Sequence, residues 1–239
     1  MLLEFFGRGS AFTDEHNSAF FTDGSDLVLI DHSLPAFNRL RRRHELACAD
    51  AAGQGFKHIY IIVTHTHSDH IGGIPLLIHY AYYVWHTPVT IAAASEEVGG
   101  LLRILFDKIE GCEDGSYEIV PADTLKWVNK VIPTRHTPAL DGKCFGYLLN
   151  IGGKKAVYTG DTRTLEPFLP YIDGDTELYC EAAAFNSGVH LFIDDIIPTL
   201  KEIAAGGAKV YLMHLDNEEA ILKAIDGTDI SFVTVYDGS

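Results

Sequence analysis

Short apolar runs of strand length alternate along the chain with longer stretches whose apolar residues recur every three or four positions. Residues 59–63, Ile-Tyr-Ile-Ile-Val, form a β-branched run of the kind that lies buried in a sheet. Residues 2–6, 18–22 and 27–31 read as an opening antiparallel meander, with turns at Gly7-Arg8-Gly9 and Asp23-Gly24-Ser25. Further strand-like runs cover 131–133, 155–158 and 210–213. Helical periodicity covers 35–52, 71–82, 95–108, 193–205 and 218–224, and Ala204-Ala205-Gly206-Gly207 is a helix stop. Strands alternating with helices predict an α/β architecture.

At 239 residues the chain can bury one large core, and no low-complexity, repeated or Pro/Ser-rich stretch divides it. Residues 1–239 are therefore expected to form a single domain. The opening Met1-Leu2-Leu3-Glu4-Phe5-Phe6-Gly7 is too short an apolar run, without a basic lead, for a signal peptide, and no segment reaches the roughly 18 apolar residues of a membrane helix. Cys48, Cys112, Cys144 and Cys180 are scattered and read as reduced thiols, which points to the cytoplasm, and with no membrane-helix segment no membrane partner is expected. With 33 acidic against 18 basic residues, a net charge of −15 disfavours long nucleic acid as a partner. The basic run Arg41-Arg42-Arg43-His44 falls on a predicted outer helix and reads as a solvated face. Oligomeric state, including a homodimer, stays open.

The chemistry concentrates behind the strand at 59–63, in Thr64-His65-Thr66-His67-Ser68-Asp69-His70. Neutral imidazole and carboxylate are ligands that borderline cations such as Zn²⁺ prefer. His65 and His67 are two apart, so in extended backbone they point the same way and can grip one ion. Asp69 and His70 follow a turn and are free to face a second. A surface loop rich in histidine is the plainer reading, but several clustered groups that would charge alike are costly unless a metal holds them.

This segment resembles the signature of the metallo-β-lactamase fold superfamily, and three later strand ends carry residues similar to its remaining ligands: His136 in Thr134-Arg135-His136-Thr137-Pro138, Asp161 in Tyr158-Thr159-Gly160-Asp161-Thr162, and His214 after Val210-Tyr211-Leu212-Met213. The resemblance implies a four-layer αββα sandwich. It also implies one metal held by His65, His67 and His136, a second held by Asp69, His70 and His214, and Asp161 bridging the two. Zinc is the metal first expected, with manganese or iron as alternatives; His67 stands where diiron members of the fold carry Glu, which favours hydrolysis over redox chemistry. A hydroxide between two such cations is a nucleophile near neutral pH. Asp31 matches a position that supports the metal site from behind, although an ordinary strand-end carboxylate fits the sequence as well.

Finer features resemble ribonuclease Z and the related small phosphodiesterases. These are Gly7-Arg8-Gly9-Ser10-Ala11, Thr159-Gly160-Asp161-Thr162-Arg163 and Tyr179-Cys180-Glu181-Ala182-Ala183, the last with Cys180 and Ala183 where that branch has His and Thr. His190, nine residues after Glu181, falls where ribonuclease Z places a further histidine, but Leu191 and Phe192 depart from its box. The resemblance implies catalytic roles for Asp69, and for His190 as a general acid oriented by Glu181; a packed or capping histidine is the alternative. Only 25 residues separate His136 from Asp161, too few for the RNA-binding arm that ribonuclease Z carries there. The expectation is a dinuclear metal-dependent phosphodiesterase acting on a small or short substrate. A thioester or lactam hydrolase, a ribonuclease Z-like endonuclease, and a redox or regulatory metal-binding protein remain as alternatives. Tyr80, Tyr82, Tyr83, Trp85 and His86 could wall the substrate or simply fill the core.

Overall fold

Neighbouring residues of the strands face different layers, and this alternation builds the molecule. The computed structural model describes residues 1–48 and 55–236. Phe6, Leu29, Ile61 and Ile91 face an outer layer of helices, whereas Phe5, Ile30, Ile62 and Ala92 face the other sheet, where they meet Tyr147, Tyr158 and Tyr179. On the far side, Val157, Leu178 and Leu212 pack against a second helical layer. The result is the four-layer αββα sandwich.

The first sheet runs β1 (Glu4–Gly7), β2 (Ser18–Asp23), β3 (Asp26–Ile30), β4 (His58–Val63), β5 (Val89–Ala93) and β6 (Glu118–Pro121) in spatial order. Its first three strands are antiparallel and the rest join in parallel. The second sheet repeats this plan with β7 (Val128–Pro133), β8 (Phe145–Ile151), β9 (Lys154–Tyr158), β10 (Glu177–Glu181), β11 (Lys209–Met213) and β12 (Ile230–Phe232). Helices α1 (Leu34–Cys48), α2 (Ser68–Ile71), α3 (Ile74–Tyr80) and α4 (Glu96–Ile104) follow strands of the first sheet, and α5 (Ile193–Ala205) and α6 (Glu218–Ala224) follow strands of the second. No described helix is long and apolar enough to cross a membrane.

Several sequence expectations shift. Residues 49–52 of the expected first helix lie outside the described residues. The helix expected over 71–82 breaks at Gly72-Gly73, because the chain passes so close to the segment between β3 and α1 that a Cβ on Gly73 would lie 2.2 Å from the Ser33 carbonyl oxygen. Ser95 caps α4 instead of joining it, its Oγ accepting from the Val98 N–H. The turn expected at 7–9 opens into a longer connection, tied to the end of β11 by Leu215 N–H to Arg8 C=O (2.8 Å) and Ser10 N–H to Leu215 C=O (2.9 Å). Among the aromatics, Tyr80 and Trp85 pack against the first core, while Tyr82, Tyr83 and His86 are exposed.

Candidate metal centre

Two segments just past strand ends adopt backbone that a side chain resists. Asp31, after β3, has φ 57° and His214, after β11, has φ 52°, each costing on the order of 1–2 kcal/mol. Gly160, before Asp161, has φ 58°, and a Cβ there would meet the Phe145 carbonyl oxygen at 2.6 Å, so glycine is required. All three bends turn side chains toward one end of the sandwich.

There the ligand-type atoms converge in two groups. In the first, His65 Nε2 lies 3.0 Å from His67 Nδ1, which lies 3.3 Å from His136 Nε2. Asp161 Oδ2 is 3.7 Å from both His65 Nε2 and His136 Nε2. In the second group, Asp69 Oδ2 is 3.2 Å from His70 Nε2 and 3.3 Å from His214 Nε2. Asp161 reaches this group too, with Oδ1 at 3.4 Å from His70 and Oδ2 at 3.5 Å from His214. The structure thus brings all seven residues together, with Asp161 between the groups.

These separations decide whether a cation fits. Four ligands at the roughly 2.0–2.1 Å of zinc bonds, placed tetrahedrally, stand about 3.4 Å from one another. The edges above run from 3.0 to 3.7 Å. Two of these atoms, His70 Nε2 and Asp161 Oδ1, are buried without a hydrogen-bond partner. An ion satisfies both the spacing and the orphaned atoms.

The surroundings fix the protonation a cation needs. Burial lowers His65 well below the ordinary histidine range, helped by the nearby His70, and burial likewise takes His136 down to about 4 and lowers His67. Burial opposes charge on His70 and Asp161 as well, yet their neighbours win: Asp161 and Asp31 raise His70, and His214, His70 and His65 hold Asp161 low. Asp31 accepts the Thr64 N–H at 2.8 Å and the Thr64 hydroxyl at 2.7 Å, and its other contact is His70 Nδ1 at 2.8 Å. The Val189 carbonyl, 2.8 Å away, holds His136 Nδ1. These contacts orient the rings so that the opposite nitrogens face the centre.

A third cluster adjoins the first two. Glu181 is buried at the end of β10, and its Oε2 is 2.6 Å from His190 Nδ1 while its Oε1 accepts the Thr162 N–H at 2.5 Å. Burial works against a charged His190, but the Glu181 carboxylate outweighs it and lifts His190 to about 9; Glu181 itself is raised by burial. The His190 side chain keeps 23% of its surface exposed beside Asp161, 3.9 Å away. His190 therefore stands beside the ligand cluster, with its charged form favoured by Glu181.

The sequence profile described as "Anti-Pycsar protein Apyc1" matches residues 1–235 of this chain. The chain belongs to the Apyc1 family. An anti-Pycsar protein Apyc1 from Bacillus phage 010DV004 is 27% identical over 246 residues, covering 92% of this chain and 91% of the phage protein. Among solved structures, the metallo-β-lactamase fold protein YhfI from Bacillus subtilis superposes with a TM-score of 0.70 at 17% identity, covering 96% of this chain and 95% of YhfI. A diphosphatase of the PhnP family reaches 0.69 at 17% identity (98% and 94% covered), and the short form of human tRNase Z 0.61 at 16% (98% and 96%). The fold is the metallo-β-lactamase fold, which these solved structures share. Within this Apyc1-family chain, the interval from His136 to Asp161 holds a single 3₁₀ turn and the hairpin of β8 and β9.

Reading the sequence passes over Thr64, whose hydroxyl also lies 3.1 Å from His65 Nδ1, and over the Val189 carbonyl. A buried threonine directly after a core strand is the signal for Thr64; a backbone carbonyl leaves no trace in sequence.

Proposed function

We propose that this chain is a metal-dependent phosphodiesterase that hydrolyses a small cyclic nucleotide. The observation that carries the reading is the pair of ligand groups on either side of Asp161, with edges suited to two cations and the Glu181-held His190 alongside. The anti-Pycsar name of the family fits a cyclic-nucleotide substrate, and the metallo-hydrolases that share the fold fit phosphoester chemistry. A surface of net charge −15 and the short His136–Asp161 interval favour a small substrate over long nucleic acid.

His65, His67 and His136 with Asp161 would hold one divalent cation, and Asp69, His70 and His214 with Asp161 the other; zinc suits the nitrogen and oxygen donors. Two cations there would neutralise the phosphoryl oxygens and lower the pKa of a water. The chain's own contribution is orientation and a proton. Asp31 and the Val189 carbonyl fix the rings of His70 and His136. Opening a cyclic phosphodiester expels a ribose alkoxide, a poor leaving group, and His190 would protonate it while Glu181 holds the imidazole from behind.

The test is hydrolysis by the zinc- or manganese-loaded protein. Cyclic mononucleotides should be opened to nucleoside monophosphates, with a nitrophenyl phosphodiester cut as well and β-lactam and precursor transfer RNA cut poorly. Turnover of the lactam or the RNA in preference to every phosphodiester would contradict the proposal.

A further inference from the structure

His136 is shared between the ligand cluster and a groove of about 280 Å³ lined by Arg135, His136, Thr137, Pro138, Asp141 and Arg163. The two arginines ride on the segments that carry ligand residues, one position before His136 and two after Asp161. Arg163 N–H donates to the Arg135 carbonyl at 2.8 Å, which locks these segments side by side. Both side chains are exposed, and neither guanidinium has an ion-pair or hydrogen-bond partner among the described residues. Arg8, Arg39 and Arg43 differ: each holds a glutamate, Glu218, Glu15 and Glu4 respectively. Two unpaired like charges, on a chain of net charge −15, make a site complementary to an anion.

We propose that this groove is a phosphate subsite of the reaction, binding the substrate's phosphate on arrival and the product's more strongly. The inference rests on the phosphodiesterase reading. Hydrolysis forms one bond from phosphorus to a water oxygen and breaks one bond from phosphorus to a ribose oxygen, which takes up a proton. The singly charged diester becomes a phosphomonoester of about −1.5 to −2 charge at pH 7. Guanidinium groups match phosphate oxygens in pairs and favour the more charged partner. Arg135 and Arg163 therefore set KM and product inhibition, while the chemical step stays with the ligand cluster and His190. Asp141, on the same lining, tempers the charge and allows the product to leave.

The experiment compares the metal-loaded wild type with Arg135→Ala, Arg163→Ala, the double alanine variant and the double lysine variant. Inorganic phosphate and a nucleoside monophosphate serve as inhibitors of cyclic-nucleotide hydrolysis, and calorimetry follows inorganic phosphate binding to the loaded protein directly. The double alanine variant should weaken both inhibitors by about 10-fold or more, raise KM, and leave kcat within about twofold and the metal content unchanged. The lysine variant should recover part of the binding. Unchanged inhibition and KM in the double alanine variant would overturn the subsite, as would loss of bound metal with loss of kcat, which would mark the arginines as supports of the ligand segments. Absence of cyclic-nucleotide turnover by the wild type would instead strike the phosphodiesterase reading, and the calorimetric comparison would still decide the groove.

Discussion

The two halves of the chain follow one strand plan and arrange their polar residues in opposite ways. In the first half, His65, His67, Asp69 and His70 all follow a single strand, β4, and their relative placement is set locally by the extended step at His67 and the start of α2. In the second half, His136, Asp161 and His214 follow three different strands, and Glu181 ends a fourth. Their meeting depends on sheet register: Tyr158 pairs with Tyr179, Tyr179 with Tyr211, and Glu181 with Met213, which brings the strand ends level. One half is a local clamp and the other a distributed one. The third strand of each half is followed by an aspartate, and these two also differ in use: Asp31 holds Thr64 and His70 from behind, whereas Asp161 faces both ligand groups itself.

The strongest way to break this contrast is Asp161→Ala, which removes the residue the two clamps share. Both ions should bind more weakly and hydrolysis should fall by about 10³-fold or more, read by metal analysis and steady-state kinetics. If one site keeps full occupancy, Asp161 does not link the halves.

His190→Ala comes next, since it touches the distributed half without removing a proposed ligand. Alkyl phosphodiesters should slow by about 10²- to 10³-fold, nitrophenyl esters much less, and metal content should stay near that of wild type. Equal losses on both substrates would assign His190 a structural role. Because the Glu181 carboxylate lifts His190 to about 9, its acid form should be lost as pH rises through that value. Glu181→Gln should shift this alkaline limb toward lower pH; an unmoved limb would show that another group sets it.

Asp31→Asn probes the local clamp. It keeps the shape but weakens the charge behind His70, so metal affinity should fall by about 10- to 100-fold with the fold intact, as seen by competition with a chelator. No change in affinity would mean that backbone geometry alone positions His70.

The smallest effect concerns stability. His32, next to Asp31, is fully buried with both ring nitrogens unpartnered, and burial takes it down to about 3. It stays neutral in the fold while the unfolded chain takes up a proton near 6.5, so its contribution is present above that pH and fades as pH falls toward 3. Between pH 7 and 5.5 this amounts to about 1 kcal/mol. Thermal unfolding of His32→Leu should depend less steeply on pH in that window; equal slopes would contradict a neutral, buried His32.

The contrast between the halves also explains what was legible beforehand. The local clamp could be read from residue types and spacing, because all four of its ligands lie within six consecutive positions just after one strand. His136, Asp161 and His214 are single residues at strand ends, and only family resemblance connected them; register across three strands is not written in any short segment. Helices 193–205 and 218–224 keep the bounds their periodicity predicts. The break at Gly72-Gly73 does not follow from periodicity, since its cause is the carbonyl of Ser33, distant in sequence. Arg135 and Arg163 likewise looked unrelated until a backbone hydrogen bond set them side by side.

On the proposed reading, two clamps of different construction hold two ions across one shared aspartate. Metal analysis of the native protein, equilibrated with zinc and freed of excess, tests it most directly. The account predicts two ions per chain for wild type and a loss from both sites in Asp161→Ala. A native, correctly folded wild type that binds no more than one ion would contradict it.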